Sequence, residues 1–244
     1  MQLYNPLEQF DIVLYLTLNN TNFALNNIVL MACFNILILI YLFIMYNQVL
    51  VYNNMNYLIL IIIKFIKTLI NDSILLKKYS IILLFFYVFI FILISNLLGM
   101  IPYSITITSQ LILTLYISLG FFIGTNIIGL LYHKENYFSL FLPEGIPVFI
   151  IPGLILIEYI SYFSKIFSLA IRLFANMMSG HILLKILIGF AWSMLNSVIG
   201  IILSILPIII VFGVIGLEFA IAFLQAYVFT ILLIIYLNDV LNIH

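Results

Sequence analysis

The chain has 244 residues, 66% of them hydrophobic and only 7% charged, with eight basic and eight acidic side chains and a net charge of zero. A water-soluble domain of this length cannot bury so much apolar surface, so the composition specifies an integral membrane protein. The neutral balance gives no reason to expect a polyanion or nucleic acid as a partner. The single Cys33 cannot form an internal disulfide, and no His/Cys cluster has structural-zinc spacing, so neither a metal nor a cofactor is expected.

The apolar runs exceed the ~20 residues that cross a ~30 Å hydrocarbon core and lack the alternation of barrel strands. The expected fold is therefore all-α and polytopic, one membrane domain over residues 1–244. Met1 to Asp11 has neither the basic start of a secretory signal nor the Arg-rich character of a transit peptide, so delivery to the membrane falls to the first span. Residues 1–27 form an outer segment, and the first span covers Ile28 to Tyr46. Residues 57–72 are apolar but carry Lys64 and Lys67 and end near Asn71–Asp72, the pattern of a helix lying at the interface. Two spans fill 81–132, the first ended by Gly99–Met–Ile–Pro102, because proline donates no hydrogen bond and restricts the residue before it.

Lys64, Lys67, Lys77, Lys78 and Lys134 fall on one side of this arrangement, which the positive-inside rule makes the cytosol or matrix. Five crossings then place the N-terminus outside and His244 inside. After Pro143–Glu–Gly–Ile–Pro147, residues 147–238 leave about 92 residues for two helices, each ~40 residues or ~60 Å long. A ~30 Å layer does not hold such helices at the usual ~20° tilt. A strongly inclined hairpin is expected, with breaks at Pro152 and Pro207 as the alternative.

This hairpin carries the polar residues. Glu158, Lys165, Arg172, Asn176, His181 and Lys185 lie on its first arm, and Glu218, Gln225 and Asp239 on its second. At 100° per residue, Glu158, Lys165 and Arg172 drift by only about 20° per heptad, and Asn176 stays near them. His181 falls on the opposite face. A turn centred near Val198 sets Glu158 opposite Asp239, Arg172 opposite Gln225 and His181 level with Glu218.

An arginine at the centre of a membrane helix costs ~2.5–3.5 kcal/mol even on insertion scales, so it needs compensation. Carboxylates and imidazole exchange protons, whereas Arg does not deprotonate, so a fixed cation between two titratable clusters interrupts a proton wire. Plainer readings stay open. Glu158 and Lys165 fit an ion pair, the lysines fit snorkelling, His181 and Gln225 fit helix–helix hydrogen bonds, Asp239 fits a wet helix end, and Arg172 fits a salt bridge to Glu218.

Ser168–Leu–Ala–Ile–Arg–Leu–Phe–Ala–Asn–Met–Met–Ser–Gly–His181, Phe141–Leu–Pro–Glu–Gly–Ile–Pro147, Asn96–Leu–Leu–Gly–Met–Ile–Pro–Tyr103 and Leu217–Glu–Phe–Ala–Ile–Ala–Phe–Leu–Gln–Ala–Tyr–Val–Phe229 resemble, in order, subunit a of F-type ATP synthase, of the mitochondrial and alphaproteobacterial type. The resemblance implies the stator half of a proton turbine. Its partners would be a ring of c subunits carrying membrane carboxylates, the peripheral stalk, other Fo subunits and lipid. Arg172 matches the family's ring-facing arginine, Glu218 and His181 its outer half-channel pair, Glu158 an inner half-channel acid, and Asn176 and Gln225 polar neighbours of the arginine. Asp239 has a weaker counterpart. The implied ion is the proton, with no covalent chemistry by this chain, in the mitochondrial inner membrane or, alternatively, a bacterial plasma membrane. The composition, rich in Ile, Leu, Phe, Tyr, Asn and Lys, is that of an AT-rich genome such as many organelle genomes. A secondary transporter is the rival reading, but its usual internal repeats are absent from the sequence. A structural subunit of a respiratory complex leaves the graded polar hairpin unexplained.

Overall fold

The computed structural model describes residues 10–17, 24–47, 54–73, 79–101, 106–134, 137, 150–195 and 198–241. Glu8, Lys77, Lys78, the Phe141–Pro147 motif, Asn196 and His244 lie outside them. The elements run β1 (Leu14–Thr17), β2 (Ala24–Asn26), α1 (Asn27–Asn47), α2 (Asn54–Ser73), α3 (Tyr79–Gly99), α4 (Leu111–His133), α5 (Ile151–Met194), α6 (Val198–Leu203) and α7 (Ile205–Leu241). The all-α plan holds, with a short antiparallel ribbon β1–β2 added before the first helix. Among the described residues, four helices are long and apolar enough to cross a membrane, α3, α4, α5 and the stretch from Gly200 to Leu241, alongside the shorter apolar run Asn27–Leu42 of α1.

In α2, Ile59, Ile66 and Ile70 are buried while Lys64, Lys67 and Asn71 are exposed. Spacings of seven and four put the three isoleucines on one face, so this is a two-faced helix suited to the membrane surface. Pro152 sits in the first turn of α5, where no N–H is needed, and α5 runs unbroken for 44 residues. At 1.5 Å per residue it is ~66 Å long, about twice a hydrocarbon core, so it lies inclined in the bilayer. Pro207 acts differently. It has no N–H for the carbonyl four residues back, Leu203, and α6 ends at that residue before α7 begins at Ile205. Thus one arm is continuous and the other is interrupted near its start.

The fold divides into two compact units, Met1–Phe43, Ile90–Gln110 and Leu173–Ala226 in the first, and Ile44–Phe89, Leu111–Arg172 and Tyr227–His244 in the second. Within the first, fully buried Asn35 of α1 donates to Ser95 Oγ at 2.5 Å, and Ser95 donates to the Phe91 carbonyl at 2.6 Å. Asn96 donates to the Ala222 carbonyl at 3.3 Å. These polar ties join helices whose apolar surfaces have no preference for one another over lipid. The N-terminal segment is tied down by Asn27 Nδ2 to the Asp11 carbonyl at 3.1 Å and by Gln110 Nε2 to the Phe10 carbonyl at 3.1 Å.

Within the second unit, Phe65 of α2 packs on Phe89 and Tyr227 at ring-centroid distances of 6.2 and 5.8 Å. At the end of α4, Lys134 adopts a left-handed φ of 52°, which stops the helix. His133 Nε2 lies 3.0 Å from the Leu241 carbonyl and so ties the last turn of α4 to that of α7. Gly129 permits the close approach of Tyr137, whose ring carbon would lie 2.7 Å from a Cβ there.

Candidate functional site

Arg172 is the twenty-second of the 44 residues of α5, counting from Ile151, and is half-buried. Its Nη2 donates to Ser168 Oγ, one turn earlier, at 3.4 Å. Among the described residues no carboxylate lies within 4 Å of its guanidinium. Among the described residues, this permanently charged group at the middle of a long membrane helix has the Ser168 hydroxyl as its hydrogen-bond partner.

Beyond Arg172, in the first unit, Asn176 Nδ2 donates to the buried Gln225 Oε1 at 3.0 Å. The hydrogen-bond partner of Gln225 is thus Asn176, one turn beyond Arg172 along α5. The expected meeting of His181 and Glu218 is found, with Nε2 and Oε1 3.7 Å apart. Glu218 is only 4% exposed, and both of those atoms are buried with no hydrogen-bond partner among the described residues. The gap is too long for a hydrogen bond but closes with a small side-chain motion. A buried acid and base with unspent hydrogen-bonding capacity are chemically equipped to take up and hand on a proton.

Two neighbours shape this pair. Gly180 leaves room for the carboxyl, since a Cβ there would stand 2.7 Å from Glu218 Oε1. The Phe10 ring meets the His181 imidazole edge-on at 6.3 Å between centroids.

In the second unit, Lys165 Nζ lies 3.6 Å from Asp239 Oδ2. Lys165 therefore pairs with Asp239 and not with Glu158, the ion pair that the sequence left open as a plainer reading. Two turns separate Glu158 from Lys165 along α5, and the long lysine stem reaches the aspartate from its own level. Glu158 is half-buried and forms no ion pair within 4 Å among the described residues. Around Lys165 stand groups the sequence reading did not single out. Its ammonium lies 5.7 Å from the ring centroid of Tyr162 and 5.2 Å from that of Tyr236. Tyr162 and Tyr137 both donate their hydroxyls to Asn126 Oδ1, the latter at 2.9 Å. Ser118, Thr125, Lys165 and Tyr236 contribute to the lining of a small cavity beside this cluster. Tyrosine reads as apolar in a hydropathy pattern, so only Asn126, an amide inside an apolar span, was a usable signal.

A family model described as ATP synthase A chain matches residues 28–238. The ATP synthase subunit a of Chondrus crispus is 43% identical over 247 residues, covering 98% of this chain and 97% of that protein. That of Marchantia polymorpha is 44% identical over 250 residues, covering 98% and 99%. That of Oenothera berteroana is 42% identical over 259 residues, covering 100% and 91%. With a family model over most of its length and relatives above 40% identity end to end, this chain belongs to the ATP synthase A chain family.

Proposed function

We propose that the chain is the membrane stator of a proton-driven ATP synthase, passing protons to and from carboxylates on a neighbouring c-ring through two half-channels. The observation that carries this reading is Arg172 itself, a mid-helix cation with Ser168 as its hydrogen-bond partner and no carboxylate within 4 Å among the described residues. Burying an uncompensated cation is expensive, so its counter-charge comes from outside the chain. A ring carboxylate that arrives, is held ionised by the guanidinium and then departs supplies that charge intermittently.

A proton reaches the ring from the outer side past Glu218 and His181 and neutralises a ring carboxylate. The neutral acid travels around the lipid-facing perimeter. On its return it loses the proton toward Glu158 and the inner side, because Arg172 favours the charged form. Each unit charge crossing the potential contributes about 2.3 kcal/mol per 100 mV. Asn176, Gln225 and Asp239 line the route on either side of the arginine. This chain makes and breaks no covalent bond other than those to transferred protons, and ATP chemistry belongs to soluble subunits of the complex. The relatives and the membrane helices fit a multi-pass protein of the mitochondrial inner membrane, with the N-terminus toward the intermembrane space and the C-terminus toward the matrix. Peripheral-stalk and other Fo subunits complete its contacts.

The test is Arg172→Ala in the assembled complex, reconstituted in vesicles. ATP synthesis driven by an imposed proton gradient is expected to vanish while co-purification with the c-ring persists. Synthesis at the normal rate in that variant overturns the reading.

A further inference from the structure

Lys165 lies seven residues before Arg172 on nearly the same face of α5. Its head is gripped by groups from two helices, its own α5 and α7. Asp239 of α7 supplies a carboxylate at 3.6 Å, and the rings of Tyr162 and Tyr236 flank the ammonium at 5.7 and 5.2 Å. Tyr162 is itself fixed through its hydroxyl to Asn126 of α4, which also holds Tyr137. A snorkelling lysine needs no such surroundings, because its ammonium reaches water instead.

The reason for this grip lies in what else is nearby. Arg172 is the next cation on that stripe, two turns or about 10 Å of rise beyond Lys165 along α5, and lies in the same compact unit as Asp239. An aspartate reaching α5 between those two levels is attracted by either cation. Nevertheless Asp239 pairs with Lys165, and Arg172 has no carboxylate within 4 Å among the described residues.

We propose that Lys165 is a positioning residue that holds Asp239 away from Arg172, so that the arginine remains open to a carboxylate arriving on the ring. The proposal rests on the role of Arg172 given above. An internal Arg172–Asp239 pair would compete with every incoming ring carboxylate and would have to break at each step of rotation. The Tyr162 and Tyr236 rings favour the cationic head from both sides, and Asn126 keeps Tyr162 in place to do so.

The experiment uses the whole complex in vesicles, with ATP synthesis under an imposed proton gradient as the first readout and a cryo-EM map as the second. Lys165→Gln is expected to lower synthesis by about fivefold or more with c-ring co-purification unchanged, the range of measured couplings between neighbouring charges. Lys165→Arg keeps the charge and is expected to retain synthesis. Lys165→Gln/Asp239→Asn is expected to return to the level of Asp239→Asn alone. In the map of the Lys165→Gln complex, Asp239 is expected to have moved to about 4 Å from the Arg172 guanidinium, ion-pair distance. Synthesis by Lys165→Gln at the wild-type level overturns the proposal, as does a map in which Asp239 stays away from Arg172. If Lys165→Gln fails to assemble, assembly regained in the double variant supports the proposal and continued failure overturns it. Arg172→Ala, run alongside, separates the two ideas: its retention of synthesis sinks the role of the arginine, whereas its loss of synthesis with an unmoved Asp239 sinks only the role of Lys165.

Discussion

Asn176 Nδ2 donates to Gln225 Oε1 across 3.0 Å, so the residue that meets the α7 glutamine stands one turn beyond Arg172 rather than at it. The Asn176 amino group is spent on Gln225, and the guanidinium donates to Ser168. A neutral pair beside a cation orders the helices without neutralising the charge.

Replacing Gln225 by Leu removes the acceptor of the Asn176 amide. Interhelical hydrogen bonds in membrane proteins average only ~0.6 kcal/mol, so the complex is expected to assemble with little loss of thermal stability. Released from Gln225, the Asn176 amide, four residues from Arg172, becomes able to turn its oxygen toward the guanidinium. ATP synthesis is expected to fall by about threefold to tenfold, a barrier change of ~0.6–1.4 kcal/mol. Reconstituted synthesis measured beside a thermal unfolding curve separates the two effects, and a large stability loss with unaltered turnover counts against this account.

Gly180→Ala tests the fit of the acid against α5. The added methyl would stand 2.7 Å from Glu218 Oε1, closer than a methyl carbon and a carboxylate oxygen approach without one of them moving. The carboxyl is expected to be displaced from His181, and proton conduction through vesicles is expected to drop by about tenfold, or ~1.4 kcal/mol. Shortening the acid in Gly180→Ala/Glu218→Asp makes room for the methyl and is expected to recover part of the loss.

Glu218→Gln keeps the shape and removes the exchangeable proton. Slower proton uptake from the outer side is expected, with rates down by about tenfold or more in line with the loss of one acid–base group. The measurement is passive proton flux through the membrane sector at several outer pH values; flux equal to that of the unmodified protein at all of them reduces Glu218 to a packing residue.

For Asn126→Leu the expected consequence is structural. Tyr137 and Tyr162 each lose the Oδ1 acceptor their hydroxyls now share. Stranding a buried donor costs about 1–3 kcal/mol, so a lowered unfolding midpoint of the complex is expected. Asn126→Leu/Tyr137→Phe/Tyr162→Phe removes both donors as well and is expected to regain most of the loss, which a set of thermal unfolding curves checks directly.

Much of this was visible in the residues. The two-faced character of α2 follows from charges at Lys64 and Lys67 set among isoleucines at helical spacing, and the structure buries Ile59, Ile66 and Ile70 on one side. The meeting of His181 with Glu218 followed from counting back from a turn near Val198, because both residues lie within about twenty residues of it. Farther from the turn, Gln225 bonds to Asn176 and Asp239 pairs with Lys165, pairings that counting alone did not name.

The sequence by itself determined that the chain is a membrane protein, where its spans lie, and that Glu158, Lys165 and Arg172 occupy one stripe, because apolar run length and the 100° helical step are properties of the covalent chain. Only the tertiary structure decided which polar groups meet. That Asp239 goes to Lys165, that Asn126 gathers two tyrosines, and that Arg172 has no carboxylate within 4 Å among the described residues depend on helix register and side-chain reach. Among near-uniform apolar surfaces, hydropathy says little about register, and a few hydrogen bonds and ion pairs set it instead.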